Sequence, residues 1–173
     1  MKKHNGMRPQ DVVVLLKILT CKDCEWNFGN LALSLQISPS TVSEAMERNR
    51  MAGLTNPDKN QVNKLALREF LIYGLKYVFP PLLGHSTRGI ATAHSALPVS
   101  AFISEGRENY VWGYYKGTRT GSSIVPLYDK IPKLVENEQE LYEYLAIIDT
   151  FRIGKNREVG IAVNELDKRL GLL

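Results

Sequence analysis

At 173 residues with 44% hydrophobic side chains, the chain is long enough for one compact domain or two small ones, each with its own core. The formal charge of +4 is modest but uneven: residues 1–80 hold 11 Lys and Arg against 7 Asp and Glu, while 81–173 hold 11 against 11. No apolar run approaches the roughly 20 residues that span a bilayer. The opening MKKHNGMRPQ has no apolar signal core behind its lysines, so a cytoplasmic protein with no membrane partner is expected.

Pro9 suits the opening of a first helix over Gln10 to Thr20. Val12 to Leu16, Ile18 and Leu19 are dense enough to bury it on most sides, with Lys17 expected to face solvent. Cys21 and Cys24 form a C-x-x-C pair, the spacing of half a zinc site or of a redox couple. Zinc needs about four ligands and no second pair exists, so two reduced thiols and no cofactor are expected. Trp26 and Phe28 follow; Trp26 reads as a core plug rather than a stacking platform.

Phe28 to Met51 reads as two helices joined by a tight turn at Gln36, Ile37 and Ser38. Leu31, Ala32 and Leu35 share one face of the first. Ser38 can cap the second and Pro39 fits its first position. Val42, Ala45 and Met46 give the second helix an apolar face. Gly53 marks its end. Two short extended arms, Leu54–Thr55 and Gln61–Val62–Asn63, then flank a turn that holds Pro57 and Asp58, a small β-hairpin.

A small residue at Ala32, an apolar turn residue at Ile37 and apolar Val42 and Ala45 resemble the helix-turn-helix of bacterial transcription regulators. Gln36 departs from the glycine usual at that turn. With the hairpin and the phrase Arg50-Met51-Ala52-Gly53-Leu54, residues 9 to 79 look like a MarR-like winged helix. That resemblance implies double-stranded DNA as partner and a dimer that reaches two half-sites. On it, the helix Pro39 to Arg50 enters a major groove. Ser38, Ser40, Thr41, Ser43, Glu44 and Glu47 stand at or near base edges, Arg48 and Arg50 at phosphates, and Lys59 and Asn60 beside the phosphate backbone or the minor groove. Only one of Glu44 and Glu47 is expected to face the groove. An ordinary helical hairpin is the alternative.

Lys64 to Phe79 is expected to be a long helix with apolar residues on two sides, Leu65, Leu67, Phe70, Leu71, Leu75 and Val78 on one and Ile72, Tyr73, Tyr77 and Phe79 on the other. Such a helix usually meets a second partner. Leu82 to Ile103 shows no period and is expected to be an irregular docking segment. Its Thr87-Arg88-Gly89-Ile90-x-Thr92-Ala93-His94-Ser95 is similar to segments of small bacterial winged-helix proteins, and Thr87, Arg88 and His94 are its candidate partner-binding residues. No nucleophile elbow and no nearby orienting acid accompany the histidines, so no enzyme is expected. The aromatics Tyr110, Trp112, Tyr114 and Tyr115 beside Lys116 and Arg119 read as an extended arm or hairpin. The run Gly117 to Gly121 lacks a P-loop ending. Helices are expected over Leu127–Val135, Asn137–Phe151 and Arg157–Leu170, the last capped by Asn156, with a basic bend at Arg152, Lys155 and Arg157.

These readings give a mainly α, α+β chain: a DNA-binding domain at 1–80, then a partner-binding or dimerisation region at 81–173. The expected function is a repressor-like DNA-binding regulator. The alternative is an antitoxin-like module that neutralises the product of a neighbouring gene through its C-terminal half.

Overall fold

A computed structural model describes residues 6–21, 26–56, 61–104 and 108–173. The chain is mainly helical with small sheets, an α+β protein. Packing divides it into two compact units, Met1–Leu67 and Arg68–Leu173.

In the first unit, α1 (Pro9–Thr20) has proline in its first turn, and Asp11 accepts the Arg8 N–H at 2.8 Å. Val12 to Leu16 are all fully buried. Each such side chain contributes about 1.5–3 kcal/mol of apolar transfer, so α1 anchors the unit. Lys17, expected in solvent, is also buried at 9% exposure: a helix enclosed on most sides leaves its stem lying along apolar neighbours. α2 (Phe28–Leu35) is capped by Asn27, whose Oδ1 accepts the Asn30 N–H at 2.8 Å, and buries Leu31, Ala32 and Leu35. Gln36 then takes φ +54°, the left-handed region that glycine usually fills. The Ile37 N–H returns to the Ala32 carbonyl at 2.9 Å and closes the turn. α3 (Pro39–Met51) follows, with Val42, Ala45 and Met46 buried. Gly53, at φ +74°, turns the chain into β1 (Thr55–Asn56). This strand pairs antiparallel with β2 (Gln61–Val62), Thr55 opposite Val62 and Asn56 opposite Gln61.

The helix over 64–78 is not uniform. α4 (Lys64–Glu69) passes through a π-helical stretch, Phe70–Gly74, into α5 (Leu75–Val78). A side chain at Gly74 would strike the Phe70 ring, so the wider turn and the glycine go together. Leu67, Leu71, Ile72 and Leu75 are buried, whereas Leu65, Tyr73, Tyr77 and Val78 are exposed.

The segment expected to be irregular holds a nine-residue strand, β3 (Leu83–Ala91), and two 3-10 turns, Ala93–Ser95 and Val99–Phe102. β3 pairs antiparallel with both β4 (Tyr110–Gly113) and β5 (Arg119–Ile124), which pair parallel with each other and close a three-stranded barrel. β4 and β5 therefore do not form a hairpin. So small a closure needs backbones in contact. Gly89 lies against the Trp112 carbonyl, Gly117 against Gly89, and Gly121 against Asn109, each where a Cβ would overlap main chain. Little side-chain alternation survives in such a strand, which is why β3 carries no period-2 pattern.

α6 (Ile131–Leu134) and a 3-10 turn, Val135–Asn137, lead into α7 (Gln139–Ile153). Residues 144–152 of α7 are buried without a break, as befits the central helix of a unit. α8 (Asn156–Leu170) starts one residue earlier than expected: Lys155 is the N-cap, and its N–H donates to Glu158 at 2.9 Å. The expected basic bend is corrected at Arg152 alone, since Lys155 and Arg157 are exposed. Arg152 is only 8% exposed; it pairs with Asp149 at 2.7 Å and donates to the carbonyls of Phe79 and Pro80. Asp149 Oδ2 also accepts from Trp112 Nε1 at 2.7 Å and from the Thr92 hydroxyl at 2.9 Å, so both oxygens of the buried carboxylate are hydrogen-bonded.

Candidate nucleic-acid interface

The N-terminus of α3 gathers three hydroxyls. Ser38 Oγ accepts the Thr41 N–H at 3.1 Å and lies 2.8 Å from both Ser40 Oγ and Thr41 Oγ1. Pro39 and this cap fix the helix entry, so its first turn is held at a set angle. Ser40, Ser43, Glu44, Glu47 and Arg50 are exposed and Thr41 half-buried. At spacings of three and four they form one polar stripe. Two serines, two glutamates and one arginine can all hydrogen-bond to base edges or phosphate.

Glu47 and Arg50 are engaged with each other through two hydrogen bonds of 2.7 and 2.9 Å, and the carboxylate raises the Arg50 pKa. Arg48 departs from expectation. It is 8% exposed, and its Nε and Nη2 each donate to Asp11 at 2.7 Å. The Asp11 hydrogen bonds push the Arg48 pKa up against the opposing effect of burial. Beside it, Asn49 Nδ2 donates to the Asp11 carbonyl at 3.0 Å. Arg48 is therefore the internal bolt between α3 and α1, not a phosphate ligand. Counted along the helix, it falls between buried Ala45, Met46 and Asn49, so its guanidinium turns inward. Lys59 and Asn60 lie outside the described residues.

The three candidate partner-binding residues do not converge. Thr87 and Arg88 are neighbours on β3 and so point to opposite faces. The Arg88 Nε donates to the Gly117 carbonyl and its own carbonyl accepts the Tyr114 N–H at 3.1 Å, which clamps the connection from β4 to β5. His94 sits on the first 3-10 turn, after Ala93 at φ +52°, with its ring edge-on to Tyr110 at 5.3 Å. It lines a cleft of about 180 Å³ with Ser100, Glu108, Tyr110 and Arg119 among others. That grouping joins residues up to 25 positions apart across strands whose pairing the pattern did not reveal.

Among the described residues no helix is long and apolar enough to cross a membrane, and no cluster of three His, Cys, Asp or Glu side chains is placed to hold a metal. The fold defines a mainly helical α+β chain whose first unit carries two helices joined by a tight turn, followed by a two-stranded ladder. No family model, curated protein or solved structure matches this chain.

Proposed function

We propose that the chain is a DNA-binding transcription regulator of the MarR-like winged-helix type, with α3 read into a major groove and the β1–β2 ladder as its wing. The observation that carries this reading is the polar stripe of α3, from Ser40 to Arg50, presented by a helix whose opposite face is bolted to α1. Ser40, Thr41 and Ser43 meet base edges, Glu44 or Glu47 accepts from cytosine, and Arg50 reaches phosphate after release from Glu47. Arg48 has no contact with DNA in this scheme.

The test is binding to DNA from the protein's own promoter against scrambled DNA over a salt series. Arg50→Gln lowers affinity on all sequences and reduces the salt slope by about one. Replacing Ser40 and Ser43 with alanine relaxes sequence preference. Equal affinity of the parent protein for promoter and scrambled DNA refutes the reading.

A second reading, a protein-interaction module of the antitoxin type, draws on Tyr73, Tyr77, Val78, Leu82 and Leu83, each more than half exposed. So many large apolar residues bared within eleven positions favour a protein contact, either a second copy or the product of a neighbouring gene. Mass in solution, alone and with that product, separates the two.

A further inference from the structure

The cleft beside His94 lies wholly in the second unit and plays no part in the proposed DNA contact. Among the described residues, two opposite charges line it. Arg119 opens β5, and its backbone is fixed by pairing with Gly89. Glu108 precedes β4, and its Oε2 accepts the Tyr110 hydroxyl at 3.0 Å. The two form no ion pair with each other, and the Arg119 guanidinium makes no side-chain hydrogen bond or ion pair among the described residues, although its charge acts on the Tyr142 hydroxyl. Opposite charges held in one cleft yet apart leave room between them for a ligand that carries both signs. The wall also offers the hydroxyls of Ser100 and Ser104, and Ala91 and Ile103 supply apolar surface. Burial and Glu108 together raise the Tyr110 pKa, so its hydroxyl stays a proton donor toward that carboxylate.

We infer that this cleft binds a small zwitterion of the α-amino-acid class, with its carboxylate on the Arg119 guanidinium, its ammonium on Glu108, and a short aliphatic side chain against Ala91 and Ile103. A ligand of one charge meets only one of the two side chains. A wholly apolar ligand meets neither. The volume of about 180 Å³ suits a molecule of a few heavy atoms rather than a nucleotide.

The experiment is amide NMR of the full chain titrated with L-alanine and L-leucine, with propionate and propylamine as single-charge controls. Arg119→Gln and Glu108→Gln are the variants; both positions are exposed, so the fold survives either change. The inference predicts saturable shifts at Ser95, Ser100 and Tyr110 with the amino acids. It also predicts that either substitution weakens binding roughly tenfold or more, the scale of a lost charge-assisted hydrogen bond. Absence of saturable shifts, an equal response to propionate, or undiminished binding by Arg119→Gln overturns it. No DNA enters the assay, so its outcome is separate from that of the regulator reading.

Discussion

Replacing Arg48 by methionine tests the placement of α3 most directly. The Asp11 side chain is fully buried and that of Arg48 is 10% exposed. The substitution removes both 2.7 Å hydrogen bonds and leaves the carboxylate with the Arg8 N–H at 2.8 Å. Breaking a buried pair by deleting one partner costs about 3–5 kcal/mol. The retained backbone bond places the expected loss near the low end, about 3 kcal/mol. For a unit the size of Met1–Leu67 each kcal/mol moves the midpoint by roughly 4–8 °C, so a fall of about 12–24 °C is expected by far-UV circular dichroism. The paired replacement Asp11→Leu with Arg48→Met recovers most of this, because an apolar pair avoids the stranded charge. It still loses the cap at Arg8, about 1 kcal/mol. If Arg48→Met unfolds within about 1 kcal/mol of the parent while the salt slope of DNA binding drops, Arg48 faces solvent and the bolt does not exist.

Arg152→Met removes the counter-ion of Asp149, which keeps the Trp112 and Thr92 donors, and lowers stability by about 3 kcal/mol in urea, reported by fluorescence of the buried Trp112. Gly89→Ala drives a methyl into the Trp112 carbonyl and is expected to unpair β3 from β4, read as loss of hydrogen-exchange protection at 89–91; retained protection would deny the backbone contact. Acid stability has a defined sign. Lys168 and Arg169 hold the Glu165 carboxyl below its ordinary range; burial favours a higher value for Glu143, but bonds from Gln139 and Arg169 outweigh it. Depressed folded values give stability that is present above about pH 4.3, the unfolded value, and lost as pH falls through the folded ones. Replacing both glutamates with glutamine should flatten that acid limb, and an unchanged limb would refute the assignment.

The helices of the first unit were legible because each carried its own signal. Asn27 and Ser38 cap, Pro9 and Pro39 open, and Leu31, Val42 and Ala45 repeat at helical spacing. α7 and α8 were legible for the same reason. The barrel was not, since its closure rests on Gly89, Gly117 and Gly121, which contribute contact by lacking side chains and leave no apolar alternation to read. Charge was misread in one consistent way. Arg48, Arg152 and Lys17 looked like surface because they are charged, yet each is buried, two of them against an aspartate from another turn or helix. Asp11 held the missing hint: it precedes five consecutive Val and Leu residues, so whatever meets it meets the core.

That inward turn of Arg48 alters what the excess positive charge of residues 1–80 can do. The exposed stripe of α3 holds Glu44, Glu47 and Arg50, and Arg50 is already matched by Glu47. Approach to a duplex then gains little from the stripe itself and requires the Glu47–Arg50 pair to open. On the proposed regulator reading, affinity through α3 comes mostly from hydrogen bonds of Ser40, Thr41, Ser43 and one glutamate, which release few counterions. With roughly two to four phosphates neutralised per protomer, the logarithm of affinity should fall against that of salt with a slope near −2 to −4, at about −0.9 per phosphate. Fluorescence anisotropy over a salt series measures this. A slope near −8 per protomer, unaltered by Arg50→Gln, would mean that phosphates are gripped elsewhere on the chain, and α3 would lose its place as the element that meets DNA.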